Sequence, residues 1–286
     1  METRLSGISK EVVIAPHCPT VLIGERINPT GKRKLATALK EGDLEPVHRE
    51  AFAQVEAGAD ILDLNVGAAG VDEVALLPRA VRTVMEVVDV PLCLDSANPD
   101  ALRAALEVYR QLAPQGKPLI NSVSGEEESL ARVLPLVREY DAAIIGLTMD
   151  EAGIPKEPER RVDIARRIVG RAEQMGIPRE DVVIDCLALT VGADHKAALI
   201  TLEAIQGVRR ELGVNQTLGA SNVSFGLPDR EVINAAFLAM AIAAGVTCPI
   251  VDVAKVRPFV LAVDLLLGRD EFAMRYLKAY RRRRGN

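Results

Sequence analysis

Acidic and amide side chains stand near the ends of several short apolar segments in this sequence. They are Glu25, Asp63, Asn65, Asp95, Asn121, Asp185 and Asn222. A buried carboxylate or amide without a hydrogen-bond partner destabilises the fold, so a chain that repeats this feature in segment after segment predicts one shared polar site. Carboxylate and amide groups can together match the donors and acceptors of a planar heterocycle, and a carboxylate can accept two parallel N–H bonds.

The apolar segments have the composition of parallel β-strands that are covered on both faces. They are rich in Val, Ile and Leu, and they are apolar throughout instead of alternating with polar residues. The predicted strands cover 21–26, 61–66, 92–96, 119–123, 142–148, 182–187, 217–222 and 246–252.

Helical patterns lie between the predicted strands. They cover 45–58, 73–88, 99–112, 126–140, 158–176, 193–212 and 229–245. Several of them end at Gly, and Asn98 is placed to cap the helix that follows it. Strands that alternate with helical crossovers predict an α/β fold, a single-domain (β/α)8 TIM barrel. A doubly wound open sheet is the alternative, but GERINPTGKRK after the first strand lacks the GxGxxG pattern usual in that fold.

The C-terminal ends of the strands form one rim in a barrel of this kind, and the polar residues named above fall at or near those ends. Each has another explanation when it is taken alone. Asp95 and Asn121 could cap the helices that follow them, and Asp63 and Asn65 could only brace neighbouring loops. The whole set favours a binding site, because helix caps need not lie inside apolar strands.

Composition excludes several other classes of protein. A net charge of −5, 3% aromatic residues and no Trp disfavour a nucleic-acid partner. Cys18, Cys93, Cys186 and Cys248 form no CxxC pair, which is typical of reduced thiols in a cytosolic protein. No signal peptide is visible, and no apolar run approaches the roughly 20 residues that span a membrane. We therefore expect a cytoplasmic protein.

The remaining reactive residue types argue against two kinds of chemistry. No Lys stands at the ends of predicted strands two to seven, which disfavours a Schiff-base aldolase, and Lys255 is the sole loose candidate. His17, His48 and His195 form no cluster with the Cys residues at metal-ligand spacing, so we expect no metal bound by this chain. His195 is interpreted as a helix-start residue in preference to a catalytic base.

The ends of the chain lie outside the predicted barrel of residues 21–268. Residues 1–20 form an N-terminal extension that could plug the bottom of the barrel. Residues 269–286 form a basic C-terminal helix. Its cations suit the negative pole of a helix dipole, and docking of an acidic partner is the alternative.

The sequence also carries an ordered series of motifs. They are GERINPTG, DLNVG, LCLDS, LINS, GLTMDEAGIPK, VVIDCL and GASNVSFGLPDR. In this order they resemble the pterin-binding methyltransferases that move a methyl group between 5-methyltetrahydrofolate and a corrinoid. That family includes the methyltransferase of the corrinoid iron–sulfur protein, the methyltransferases of demethylase systems and the folate module of cobalamin-dependent methionine synthase. The resemblance extends from Val21 to Leu267.

The resemblance implies a barrel like that of dihydropteroate synthase, a homodimer, and a pterin bound in the barrel mouth. By position it makes Asp95, Asn121 and Asp185 hydrogen-bond partners of the pterin ring. It places Asn222 beside N5, the nitrogen that carries the methyl group, and gives Asn222 and Asp95 catalytic roles.

The resemblance extends to supporting residues and to a partner. Arg230 matches a family arginine near the folate, and Glu25 and Asp63 match supporting positions. The segment after SNVS varies within the family, which leaves the contacts of Phe225 to Pro228 open. The chain has no DxHxxG-like loop and no second domain for cobalamin, so we expect the corrinoid to arrive on a transient partner protein.

The function predicted in this way is methyl transfer between N5 of 5-methyltetrahydrofolate and the cobalt of a corrinoid. Two alternatives stay open at this point. A dihydropteroate synthase-like enzyme would need a basic anchor for a diphosphate near the seventh and eighth strands, and ASNVSF offers none next to it. A folate-binding subunit without turnover is the other alternative.

Overall fold

A barrel of parallel strands forms the centre of the protein in the computed structural model, which describes residues 1–284. The described chain has two strands before the barrel, β1 (Thr3–Ser6) and β2 (Glu11–Ile14). The barrel strands are β3 (Ile23–Ile27), β4 (Ile61–Leu64), β5 (Leu92–Asp95), β6 (Leu119–Ser124), β7 (Ala143–Leu147), β8 (Val182–Asp185), β9 (Gln216–Thr217) and β10 (Ile250–Val251). Strands β3 to β10 form one eight-stranded sheet, in which neighbours in the chain pair in parallel and β10 pairs with β3. The predicted (β/α)8 barrel is confirmed.

Helices surround the barrel and connect its strands. They are α1 (Arg33–Lys40), α2 (Glu45–Ala57), α3 (Glu73–Met85), α4 (Pro99–Leu112), α5 (Glu127–Glu139), α6 (Pro158–Gln174), α7 (Ala197–Glu211), α8 (Arg230–Ala244), α9 (Val253–Leu266) and α10 (Met274–Arg284). The predicted cap Asn98 is confirmed, since its side chain accepts the Asp100 N–H at 2.9 Å. Helix α2 ends at Gly58, whose φ of 102° lies in the left-handed region that glycine tolerates.

The two last strands are shorter than the sequence predicts. The predicted strand 217–222 continues past β9 only as a short 3-10 helix (Ala220–Ser224), in which the Asn222 N–H bonds to Gly219 O. The barrel closes here through a single parallel bridge between Gly219 and Ile250. The predicted helix 193–212 starts later, at Ala197, because the preceding residues form turns.

The first residues close the N-terminal end of the barrel. Strands β1 and β2 pair as an antiparallel hairpin. The hairpin places Leu5 and Ile14 in one buried cluster with the barrel residues Ile23 and Leu119. Asn215, before β9, donates to Ile14 O at 2.9 Å and fixes the hairpin to the barrel. The bottom of the barrel is therefore filled with apolar side chains, as expected for a site at the opposite end.

The basic C-terminal segment is attached to the bottom of the barrel through one buried carboxylate. Asp264, at the end of α9, accepts the N–H of Thr20 at 2.9 Å and the hydroxyl of the same residue at 2.7 Å. Arg269 and Arg275 pair with this carboxylate at 3.5 and 3.3 Å. Of the predicted helix 269–286, residues 285 and 286 lie outside the described range. In the part of the chain that the structure describes, no helix is long and apolar enough to cross a membrane.

Candidate active site

The polar layer of the barrel mouth follows from the two-residue repeat of β-strands. Inward-facing apolar residues near the bottom include Ile23, Ile61, Cys93, Leu119 and Val183. Side chains two positions apart in a strand point to the same face. The next inward positions are therefore Glu25, Asp63, Asp95, Asn121 and Asp185. Two residues further along each of these five strands, the side chains inside the barrel therefore change from apolar to acidic or amide.

Strands β5 and β6 bring Asp95 and Asn121 next to each other, because these residues pair in register. Each side chain is also held by a residue of β4 or of the loop that follows β4. Nδ2 of Asn65 donates to Oδ2 of Asp95 at 2.9 Å, and Nδ2 of Asn121 donates to Oδ1 of Asp63 at 3.1 Å. These bonds leave Oδ1 of Asp95 and Oδ1 of Asn121 as acceptors for a ligand.

Asp63 and Asn65 hold these two residues. Asp63 is 3% exposed, and its hydrogen-bond partner is Asn121. Asn65 reaches back from the loop after β4 to Asp95, and its own Oδ1 accepts the Gly67 N–H at 2.8 Å. Neither side chain belongs to the wall of the cavity above Asp95 and Asn121.

Burial changes the pKa values of two acids in this layer, Asp63 and Asp95. It raises the pKa of Asp63, and the negative charge of Asp95 raises that pKa further. Burial also raises the pKa of Asp95, while the hydrogen bond from Asn65 lowers it. Two buried carboxyl groups whose charges act on each other favour a single proton, and Asp63, the more deeply buried of the two, retains it. Asp95 is then the charged member that faces the cavity.

Asp185 ends β8 on the opposite side of Asn121 from Asp95, two strands away. Its Oδ1 accepts the backbone N–H of Leu187 at 2.7 Å, and the Gly219 N–H also reaches the carboxylate. Burial raises the pKa of Asp185 to about 6, against these hydrogen bonds and the charge of Arg161, which lower it. The group is therefore an ionised acceptor at neutral pH.

A cavity of about 440 Å³ opens above Asp95 and Asn121. Asp95 and Asn121 form part of its wall, together with Ser96, Ser122 and Met149. The Ser96 hydroxyl donates to Glu73 at 2.6 Å, which joins the start of α3 to the end of β5. The cavity combines polar acceptors with an apolar wall, as is typical of sites that bind flat organic molecules.

A second cavity, of about 220 Å³, lies on the side of the mouth where β3 and β10 meet. Glu25, Ser221, Arg230, Asp252 and Lys255 line it. Burial raises the pKa of Glu25, and the charge of Asp252 raises that pKa further. Lys255 pairs with Glu231 at 3.0 Å, so the loose Schiff-base candidate stands in an ion pair outside the polar layer.

Asn222 and Arg230 belong to one segment beside this second cavity. Asn222 is exposed in the 3-10 helix after β9. Arg230 donates to Ser221 O at 2.7 Å and to Ser224 Oγ at 3.0 Å, on either side of Asn222. Arg230 therefore holds the loop that carries Asn222.

Three further predictions concern residues outside the mouth. His195 is exposed in the turn just before α7, which agrees with its interpretation as a helix-start residue. The cysteines are free, and Cys93, Cys186 and Cys248 are buried. Within residues 1–284, no group of three His, Cys, Asp or Glu side chains is arranged to hold a metal ion.

Two residues that hold the site were not predicted from the sequence. Glu73, at the start of α3, bonds Ser96 and raises the pKa of Asp95. Arg161, on α6, is 1% exposed and donates to Cys186 O and Leu187 O directly after Asp185. Arg161 lies four residues before the buried Ala165 and therefore on the apolar face of α6. A charged residue at an apolar helix position is visible in the sequence and indicates a buried charge.

Comparison with known proteins agrees with this geometry. The family described as pterin binding enzyme matches residues 24–252. The chain belongs to the pterin-binding enzyme family. It is 32% identical to the methylcorrinoid:tetrahydrofolate methyltransferase of Eubacterium limosum, over 91% of this chain and 96% of that protein. It is 31% identical to the methionine synthase of Mycobacterium leprae over 90% of this chain, which spans 22% of that longer protein.

Solved structures of dihydropteroate synthases share the fold. A dihydropteroate synthase from Xanthomonas albilineans superposes with a TM-score of 0.66 at 19% identity, over 93% of this chain and 99% of that one. The Yersinia pestis dihydropteroate synthase bound to a pterin–sulfa conjugate gives a TM-score of 0.67 at 14% identity, over 94% and 100%. At these identities the likeness concerns the barrel alone.

Proposed function

We propose that this pterin-binding enzyme is a methyltransferase that moves a methyl group between N5 of 5-methyltetrahydrofolate and the cobalt of a corrinoid. The observation that carries the proposal is the 32% identity that extends over 96% of a methylcorrinoid:tetrahydrofolate methyltransferase. The acceptors of the barrel mouth supply the chemical support, because a pterin presents neighbouring ring N–H and amino groups that need such partners.

Asp95, Asn121 and Asp185 bind the pterin ring in this proposal. One polar atom of each side chain already has a protein partner. Asp95 accepts from Asn65, Asn121 donates to Asp63, and Asp185 accepts the N–H of Leu187. Acceptor oxygens of the three ligand-binding residues are left for the N–H groups of the aminopyrimidinone edge. Charged acceptors bind N–H donors more strongly than neutral ones, so Asp95 and Asp185 supply most of the affinity.

Asn222 acts at N5. A tertiary amine is a poor leaving group, because its nitrogen becomes anionic when the methyl leaves unless a proton or a strong hydrogen bond compensates. The enzyme must stabilise that change more in the transition state than in the ground state. Within residues 1–284, the side-chain amide of Asn222 has no hydrogen-bond partner, which leaves it available to N5, and the side chain is exposed. The nearby carboxyl of Glu25 supports this side of the site.

The corrinoid is the second substrate, and we propose that a partner protein carries it. When docked, it supplies the cobalt centre that exchanges the methyl group, and the barrel contributes position and electrostatics. Phe225 and Leu189 are exposed on neighbouring loops of the mouth, and the Thr190 hydroxyl joins these loops by donating to Phe225 O at 2.7 Å. This small apolar surface suits a transient contact. A cytoplasmic location, where thiols stay reduced, belongs to the same proposal.

A homodimer is also part of the proposal. Helices α8 and α9 lie side by side and are apolar on their outer faces as well as their inner ones. Val232 is 63% exposed and Leu266 is 85% exposed, with Met240 and Phe259 also on the surface. Helices that are apolar all round are normally buried, and a second copy would cover them. Light scattering should then give twice the chain mass of 30.8 kDa.

The function is tested by mixing the purified protein with 5-methyltetrahydrofolate and chemically reduced free cobalamin. Enzyme-dependent loss of the absorbance of the reduced corrinoid is the expected result. Formation of dihydropteroate from a pterin diphosphate and 4-aminobenzoate, without methyl transfer, would instead show a dihydropteroate synthase. Tight folate binding without transfer to free cobalamin or to several corrinoid proteins would show a non-catalytic subunit.

A further inference from the structure

Arg161 is the largest side chain that the protein buries almost completely, at 1% exposure. A buried guanidinium is costly unless it is paired or fully hydrogen-bonded. Among the described residues, no carboxylate lies within ion-pair distance of it, in contrast to Arg166 on the same helix, which pairs with Asp163 and Glu211 at 2.6 Å. The fold therefore retains a buried charge that it does not neutralise.

The guanidinium instead gathers backbone carbonyls from two loops. Nε donates to Pro155 O at 2.8 Å, in the loop after β7. Nη1 donates to Cys186 O at 2.7 Å and to Leu187 O at 2.9 Å, in the loop after β8. Nη1 also donates to the hydroxyl of Thr201 on α7 at 3.3 Å. That hydroxyl has Leu187 O at 3.1 Å and Ala197 O at 3.0 Å as acceptors for its own proton. Arg161 thus joins α6, α7 and two loops of the mouth.

The loop that Arg161 holds has an unfavourable backbone conformation. Leu187 has a φ of 59°, in the left-handed region that residues with a Cβ adopt at a cost. This conformation turns the Leu187 N–H back onto Oδ1 of Asp185 at 2.7 Å. Arg161 stabilises this turn because it donates to Cys186 O and Leu187 O. The orientation of Asp185 therefore depends on Arg161.

We propose that Arg161 is a positioning residue for substrate recognition, which fixes the loop after β8 so that Asp185 presents one carboxylate oxygen to the pterin ring. The inference rests on the proposed function, in which Asp185 binds that ring. Arg161 does not touch the substrate. It acts through the carbonyls of Cys186 and Leu187 and through its charge.

The charge has a separate consequence for Asp185. Within residues 1–284, the titratable groups that act on this carboxyl are Arg161 from α6, Cys186 from its own loop and Cys248 from the segment before β10. Burial raises the pKa of both thiols far above neutral pH, so Arg161 is the one charged neighbour of the three. Loss of its charge should therefore raise the pKa of Asp185 beyond about 6.

Two substitutions separate the geometry from the charge. Arg161→Lys keeps the charge and loses the planar fork that binds several carbonyls, whereas Arg161→Gln loses both. Arg166→Gln removes an exposed arginine of the same helix and is the matched control. For each variant, calorimetry measures the Kd of 5-methyltetrahydrofolate between pH 5 and 8. Single-turnover assays with reduced cobalamin measure the rate at saturating folate.

Arg161→Lys should weaken folate binding about tenfold, with the midpoint of the pH dependence unchanged. Arg161→Gln should weaken binding at least as much and move the midpoint upward by about half a pH unit or more. The rate at saturating folate should change less than about threefold in Arg161→Lys, because the groups at N5 are untouched. Arg166→Gln should behave as the unaltered protein.

Thr201→Val keeps the test decisive if Arg161→Gln fails to fold. It removes one acceptor of Arg161 and one donor to Leu187 O, and it should weaken folate binding about threefold. Arg161→Lys and Thr201→Val proteins that bind folate as tightly as the unaltered chain would overturn the inference. Failure of the unaltered chain itself to bind folate would contradict the proposed function instead, so the two failures are distinct.

Discussion

The barrel mouth has two sides that are built in different ways. On the first side, Asp95, Asn121 and Asp185 stand on strands of four to six residues whose register fixes them. We call these residues the recognition side. On the second side, Glu25 stands on β3 where it pairs with β10, and Asn222 and Arg230 follow β9; β9 and β10 have two residues each. We call these residues the transfer side.

The difference suggests a division of labour. The recognition side consists of acceptors that are half-buried or buried and locked by neighbouring side chains or by backbone N–H groups, as a rigid flat ring requires. The transfer side mixes acids with cations, and its Asn222 is exposed on a short 3-10 helix. In the proposed function, the charge change of the reaction and the docking of the corrinoid partner both fall on this side, where the sheet is weakest. Substitutions on the two sides should therefore change different steps.

The largest effect is expected on the transfer side. Asn222→Ala should lower the single-turnover rate of methyl transfer by about 10²-fold or more, the scale of a lost transition-state hydrogen bond. Folate affinity should change little, because the ring is held elsewhere. Stopped-flow absorbance of the reduced corrinoid gives the rate and calorimetry gives the affinity. An unchanged rate would remove Asn222 from the mechanism.

A substitution on the recognition side should show the opposite pattern. Asp185→Asn removes a charged acceptor and should weaken binding of 5-methyltetrahydrofolate by about 10- to 100-fold. Asp194→Asn, in the turn before α7, is the control and should leave the affinity unchanged. A binding isotherm of Asp185→Asn that superposes on that of the unaltered protein would contradict the ring contact.

The pH dependence of binding should report the recognition side. In the proposed function Asp95 and Asp185 accept ring N–H groups most strongly when they are ionised, and burial raises the pKa of each carboxyl to about 6. Affinity should be constant well above pH 6 and should fall as the pH drops through that value, by up to about tenfold per pH unit for each of the two protons. Titrations between pH 5 and 8 measure the midpoint. Affinity that rises on acidification would show that the protonated form binds.

The smallest effect concerns Asp63, beneath the recognition side. Its raised pKa means that the folded protein keeps a proton that the unfolded chain releases above a pH of about 3.9. Its contribution to stability is therefore full below that pH and declines as the pH rises towards the raised pKa. Asp63→Asn lacks this decline, so its melting temperature should gain on that of the unaltered protein as the pH increases. A difference in Tm that is independent of pH would refute the buried proton.

Much of the recognition side could be predicted from the sequence, because strand geometry is local. An acid or amide two positions after an inward apolar residue, as in the step from Cys93 to Asp95, must face the same interior. The pairing of Asn121 with Asp63 could not be predicted, since it depends on the register between strands that are far apart in the sequence.

The transfer side was harder to predict for the opposite reason. The apolar run around Thr217 predicts a strand to residue 222. Regular strand pairing instead ends at Thr217, Gly219 still forms a bridge to Ile250, and the Asn222 N–H then bonds locally to Gly219 O. The contacts of Arg230 with Ser221 and Ser224 depend on that turn. The sequence places the charge of Arg161 on an apolar helix face, but its acceptors could not be predicted because they are backbone carbonyls of two loops after β7 and β8.

A crystal structure of the protein with bound 5-methyltetrahydrofolate tests the central claim most directly. The account predicts the aminopyrimidinone edge within hydrogen-bond distance of Asp95, Asn121 and Asp185, with N5 directed towards Asn222. A pterin ring bound away from these residues, for example in the cavity lined by Glu25 and Lys255, would contradict it.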